Sequence, residues 1–167
     1  MQWDKVTDII LATALAVLAV FAGLGLYQWI ARKSLKNVDL HLKAFIPPLA
    51  LMTLTYIIFD KFIILSLRPD GSGEPSFPST HSMVVTTIFL IVMLALPRYV
   101  KQKPLRITLD IVMTILIILV SIGRIAAGKH WPTDVVCGLV FAAIFAGIYY
   151  LLVKKGSSNA KHLHENH

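Results

Sequence analysis

The sequence predicts an all-α fold, a polytopic membrane bundle of five transmembrane helices forming a single domain over residues 1–153, with a polar tail at 154–167. Three observations predict it. Of the 167 residues, 56% are hydrophobic and 15% are charged, which is more apolar surface than a soluble domain of this size can hide. The apolar residues fall into runs near the roughly 20 residues that a helix needs to cross a bilayer. The basic residues behind the net charge of +7 lie between those runs, so membrane topology accounts for them better than a nucleic-acid face, and no nucleic-acid partner is expected.

The first span, about 9–31, follows a start in which Lys5 is set against Asp4 and Asp8. A secretory signal has a positive start and an apolar stretch of about 7–15 residues, so this longer run reads as a retained helix. The second span, 44–66, carries Pro47 and Pro48 in its first turn, where a missing amide donor costs little. The third and fourth spans, 81–97 and 106–124, are joined by a connection bracketed by Pro97 and Pro104. Pro132 stands at the start of the fifth span, 133–153, a favoured first helical position. Trp3, Trp29 and Trp131 fall near predicted interfaces, where aromatic rings anchor helices. The single cysteine, Cys137, lies in an apolar run and reads as an inert core thiol.

Alternating crossings gather the 32–43 connection, the 98–105 connection and the C-terminal tail on one side. That side holds Arg32, Lys33, Lys36, Lys43, Arg98, Lys101, Lys103, Arg106, Lys154, Lys155 and Lys161, which is 11 of the 16 Lys and Arg residues. Cytoplasmic connections carry the excess of Lys and Arg. The expectation is a C-terminus inside, with the 67–80 and 125–132 connections facing outward.

The outward side has few charges, and they sit at helix ends. Lys61 and Arg68 are seven apart, two helical turns, so they are expected to share one face of the second span. A Gly- and Ser-rich stretch follows, and Pro78-Ser79-Thr80-His81 opens the third span. Arg124, His130 and Asp134 bridge the fourth and fifth. Taken singly, the cations read as side chains snorkelling to the interface and Ser79 as a helix cap. Together they are harder to read so, because charges retained near a membrane are costly and tend to mark function. Helix N-termini offer free amides to an anion, guanidinium groups match phosphate oxygens, and Lys adds a point charge. His130 and Asp134 are four apart, the spacing for a carboxylate that fixes an imidazole tautomer and frees its other nitrogen as a nucleophile. His81 is the remaining titratable group, suited to protonate a departing oxygen.

Lys61 to Pro69 fits KxxxxxxRP, Pro78 to His81 is similar to PSGH, and Arg124 to Asp134 fits RxxxxxHxxxD. In this order the three resemble the signature motifs of the type-2 phosphatidic acid phosphatase superfamily, which includes bacterial acid phosphatases and vanadium haloperoxidases. The resemblance implies a metal- and cofactor-free phosphatase with a phosphohistidine intermediate on His130, His81 as general acid and Asp134 orienting His130. It also implies that Lys61, Arg68, Ser79, Thr80 and Arg124 hold the phosphate. Thr80 departs from the usual Gly, and Gly123 stands where the family usually has Ser. The family core usually has six helices, whereas two precede the second motif here, so one N-terminal helix fewer is expected.

The connection between Pro69 and Pro78 leaves no room for a cap domain, so the expected substrate is a lipid phosphate or diphosphate reached from the bilayer. Undecaprenyl diphosphate is favoured, with phosphatidylglycerophosphate and phosphatidic acid as alternatives. A non-catalytic transporter or flippase of anionic lipid is the alternative of another class, although paired repeats and broken helices are not visible. Haloperoxidase chemistry would require bound vanadate. His162, His164 and His167 read as solvated tail residues rather than metal ligands.

Overall fold

The computed structural model describes residues 2–165, with side chains as far as Ser158. The expectation for His162, His164 and His167 concerns side chains outside that range. The described residues form α1 (Gln2–Arg32), a 3-10 turn (Leu35–Asn37), α2 (Leu40–Lys43), α3 (Ile46–Lys61), α4 (Thr80–Tyr99), α5 (Lys103–Ala126) and α6 (Pro132–Glu165). Five helical stretches are long and apolar enough to cross a membrane, α2 and α3 counting as one. The all-α bundle expected from the sequence is the fold that forms.

Burial explains the layout. Helix α4 is the centre, with Met83, Val85, Ile88, Phe89, Ile91, Val92 and Ala95 almost wholly enclosed. It packs most extensively on α6, then on α5 and α1, while α3 lies mainly against α6. Helix α1 is apolar on all sides and buries only Thr7, Ile10 and Ala14, as expected of a helix with lipid on most of its circumference. At the end carrying the basic connections, Phe21 stacks on Phe45 with ring centres 5.3 Å apart, Phe45 meets Tyr149 edge-on, and the Tyr149 hydroxyl lies 3.1 Å from His41 Nδ1.

Two glycines bring helices together at the opposite end. A Cβ on Gly123 of α5 would lie 2.6 Å from Thr7 Cγ2 and 3.2 Å from Trp3 Cε3, so α1 sits directly on the α5 backbone. A Cβ on Gly138 of α6 would lie 2.9 Å from the Ser79 carbonyl oxygen and 3.3 Å from the Met83 nitrogen. The start of α4 therefore touches α6 one turn beyond Asp134.

One element departs from the expected boundaries in a way that matters. The second span was expected to run to residue 66, but α3 ends at Lys61. The chain beyond is extended and pairs with itself: Leu67 bridges Pro75, Arg68 N–H donates to the Glu74 carbonyl at 3.0 Å, and Ser76 N–H donates to the Ser66 carbonyl at 2.9 Å. Ile63 and Ile64 are β-branched and suit extended backbone as well as apolar surroundings, so the apolar run concealed a change of structure. Lys61 and Arg68 consequently do not share a helix face. Helix α6 also continues past residue 153, the end of the expected fifth span.

Candidate active site

The 62–79 segment is a strap across the end of the bundle, and its anchors build the site. Trp131 Nε1–H donates to the Leu67 carbonyl at 2.9 Å, and Lys129 reaches Asp70 at 2.8 Å. That ammonium, with the Ser72 amide, holds the Asp70 carboxyl well below the usual carboxylate range. Asp134 fastens the strap from beneath. Its carboxylate accepts from the hydroxyls of Ser76 and Ser66 and from the Trp131 amide at 2.9 Å, capping α6, while its backbone carbonyl accepts from the Ser79 amide at 3.0 Å. Asp134 is 2% exposed, so these bonds replace the water it has lost.

The strap then positions His130. Its Nδ1 lies 2.7 Å from the Ser76 carbonyl oxygen, which can only accept, so Nδ1 carries the proton and Nε2 presents its lone pair. Nε2 sits 3.4 Å from Arg124 Nη2. Burial, and then the positive charge of Arg124, push the His130 pKa down to about 4. The ring is neutral at neutral pH.

This arrangement corrects the expected contact between Asp134 and His130. The carboxylate does not bond the imidazole; it holds Ser76, whose backbone carbonyl holds the imidazole. The four-residue spacing fails because Asp134 lies in the first turn of α6 and turns its carboxylate back onto that helix's own start.

Arg68 and His130 line one small cleft of about 40 Å³ together with Thr80, Tyr56, Phe59 and Asp60. Its volume is roughly that of three waters. Arg68 is ion-paired with Glu74, and Arg124 with Asp4 at 3.3 Å. Yet the Nε of Arg68 and the Nε of Arg124 are both buried with no hydrogen-bond partner among the described residues. Ser79 is fully enclosed beside the cleft, and its hydroxyl contacts Ser82 at 3.0 Å. Lys61 is not brought in: it pairs with neighbouring Asp60 at 2.7 Å, and its side chain is 69% exposed.

The family model for the PAP2 superfamily matches residues 49–157, which include all three motifs and every residue just described around His130 except Asp4. The chain belongs to the PAP2 superfamily. Among relatives of this chain, an undecaprenyl-diphosphatase of Sulfolobus acidocaldarius is 29% identical over 90 residues, covering 47% of this chain and 39% of the relative. A lipid A 1-phosphatase of Rhizobium johnstonii is 31% identical over 90 residues, covering 53% of this chain and 33% of the relative. The matched part is thus well under half of either relative's length. A transmembrane PAP2-type phosphatidylglycerolphosphate phosphatase from Bacillus subtilis has the same fold, with a TM-score of 0.62 at 21% identity over 92% of this chain and 76% of that one.

Sequence reasoning missed two sets of residues. Ser66 and Ser76 act through a loop-to-helix contact that leaves no spacing signal. On α1, Asp4 bonds Arg124, Thr7 lies 3.3 Å from Arg124 Nη1, and Asp8 lies 2.9 Å from His81 Nε2. Positions 4, 7 and 8 form one helical face. Two carboxylates on that face, at the end of the span where the cations lie, were a signal available in the sequence.

Proposed function

We propose that this protein is a membrane lipid phosphatase that transfers a phosphoryl group from a lipid to His130 and then to water. The observation that carries the reading is the pair of buried, unpartnered arginine Nε donors near a neutral histidine, Arg124 in contact with its ring and Arg68 lining the same cleft. Buried donors in native structures are almost always satisfied, and an anion seated between Arg68 and Arg124 would satisfy both.

In the first step, His130 Nε2 attacks phosphorus and forms a P–N bond. The P–O bond to the lipid breaks, and the departing oxygen takes the His81 proton. The phosphorylated imidazole keeps its Nδ1 proton on the Ser76 carbonyl. In the second step, water attacks phosphorus and returns a proton to His81, the P–N bond breaks and phosphate leaves. Arg68, Arg124 and the amides at the start of α4 from Thr80 onward hold the equatorial oxygens, the Ser79 amide being taken by the Asp134 carbonyl. The positive charge that a metal supplies elsewhere comes here from guanidinium groups, so turnover is metal-independent. Lys61 would have to leave Asp60 to join them, and its role is at most peripheral.

The cleft takes a phosphate and no lipid tail, and α3, which supplies Tyr56, Phe59 and Asp60 to it, borders the bilayer. A lipid would therefore enter sideways with its tail still in the membrane. The charge asymmetry supports an orientation with this end outside and the C-terminus inside. An outward-facing site and the likeness to an undecaprenyl-diphosphatase favour undecaprenyl diphosphate over phosphatidylglycerophosphate or phosphatidic acid.

The test is phosphate release by purified protein in matched micelles of the three lipids, with His130→Ala as control. We expect turnover that survives EDTA, is blocked by vanadate and disappears in His130→Ala. Loss in EDTA with recovery on adding a divalent metal would exclude the metal-free scheme. A kcat/KM for either glycerolipid tenfold above that for the isoprenoid would reverse the substrate order, a difference of about 1.4 kcal/mol.

A further inference from the structure

Helix α1 lies outside the three motifs, yet its outer turns reach the same group of side chains. Asp8 Oδ1 is 2.9 Å from His81 Nε2, while adjacent Thr7 and, one turn earlier, Asp4 bracket Arg124 Nη1. This approach depends on Gly123, immediately before Arg124, because any Cβ there would collide with Thr7 at 2.6 Å. The family's usual Ser at this position would keep α1 away. The departure at Gly123 and the carboxylates on α1 are thus two halves of one arrangement.

We propose that Asp8 is a positioning residue for His81, making α1 part of the catalytic unit; the inference rests on the phosphohistidine reading above. An imidazole that must donate a proton needs its charged form favoured and its ring held. A carboxylate on one ring nitrogen does both, leaving the other N–H for the departing oxygen. The remaining charged or titratable groups around His81 are Arg124 of α5 and Arg68 of the strap, with Asp4 and His130 bonded to Arg124. Asp8 is the anion in direct contact with the ring. After the P–O bond breaks, His81 is neutral and Asp8 accepts its remaining hydrogen bond; when water attacks, the proton returns to the same ring.

The experiment compares wild type, Asp8→Asn, Asp8→Glu and Gly123→Ala as purified full-length protein. Each is assayed on an aryl phosphate with a good leaving group and on an alkyl lipid phosphate with a poor one, across pH. In Asp8→Asn, kcat on the alkyl ester should fall tenfold or more, with little change on the aryl ester or in KM. Its alkaline limb should move to lower pH, because His81 loses its proton earlier without the carboxylate. Asp8→Glu should recover part of the rate, and Gly123→Ala should repeat the leaving-group pattern by displacing α1. Equal losses on both esters with an unmoved alkaline limb would overturn the proposal while His130-dependent turnover stands. Equal phosphate release by wild type and His130→Ala would instead overturn the underlying reading, and this inference with it.

Discussion

At the scale of single residues, the site depends on a neutral histidine held by a backbone carbonyl. An ordinary imidazole titrates at 6.5, whereas His130 is pushed down to about 4. The proposed nucleophile therefore stays unprotonated down to about pH 4, and the acid limb of kcat/KM should fall there. A limb near 6.5 would mean that His130 is not the group titrating. The same depression acts on stability. Between 6.5 and 4 the unfolded chain binds a proton that the native chain refuses, so stability should decline as pH drops through that window. Arg124→Ala should cost on the order of 10²–10³ in rate, as losing a transition-state donor does. Asp134→Asn should weaken the hold on Ser76 by about 1.5–3 kcal/mol, the worth of a hydrogen bond to a charged group, seen as a lower melting temperature together with slower turnover. These side chains could be picked out from the sequence because the outward side carries few charges and these fall at fixed spacing within three ordered motifs. Their connections could not, since Ser76 contributes a carbonyl oxygen that every residue possesses.

At the scale of elements, existence was easier to read than ends. Five apolar runs became five spanning stretches, because nothing else buries so much hydrocarbon. The end of α3 was misread because Phe62 to Leu65 are as apolar as the helix before them, and only the pairing of residues 66–68 with 74–76 shows that the helix has already ended. The contact between α4 and α6 was invisible for the same reason: it is a meeting of distant backbones at Gly138. Gly138→Ala should force those backbones apart and destabilise the protein by about 1–3 kcal/mol, the usual cost of overpacking. Gly147 lies two to three turns along the same helix, and a Cβ there meets nothing within 4 Å. Gly147→Ala should be neutral or stabilising by up to about 1 kcal/mol. Thermal unfolding of the two variants in one detergent checks the pair, and equal shifts would contradict the close approach.

At the scale of the whole molecule, the charge asymmetry predicts orientation. Ser72→Cys and Ser158→Cys, each in a Cys137→Ser background, should differ toward an impermeant thiol reagent applied to intact cells: position 72 labels and position 158 does not. The reverse pattern would turn the site toward the cytoplasm. The bundle also closes its site in a particular order. Asp4 and Asp8 leave the ribosome first, Ser76 and His81 follow, and His130 with Asp134 comes at the start of the last helix. Until that helix enters the bilayer, Ser76 has no carboxylate and no imidazole to hold, and Arg124 faces only the carboxylate of α1. On the proposed mechanism, the nascent chain would stay inert during insertion and would gain its nucleophile only when membrane integration is nearly complete, so a half-built copy would not act on the bilayer around it.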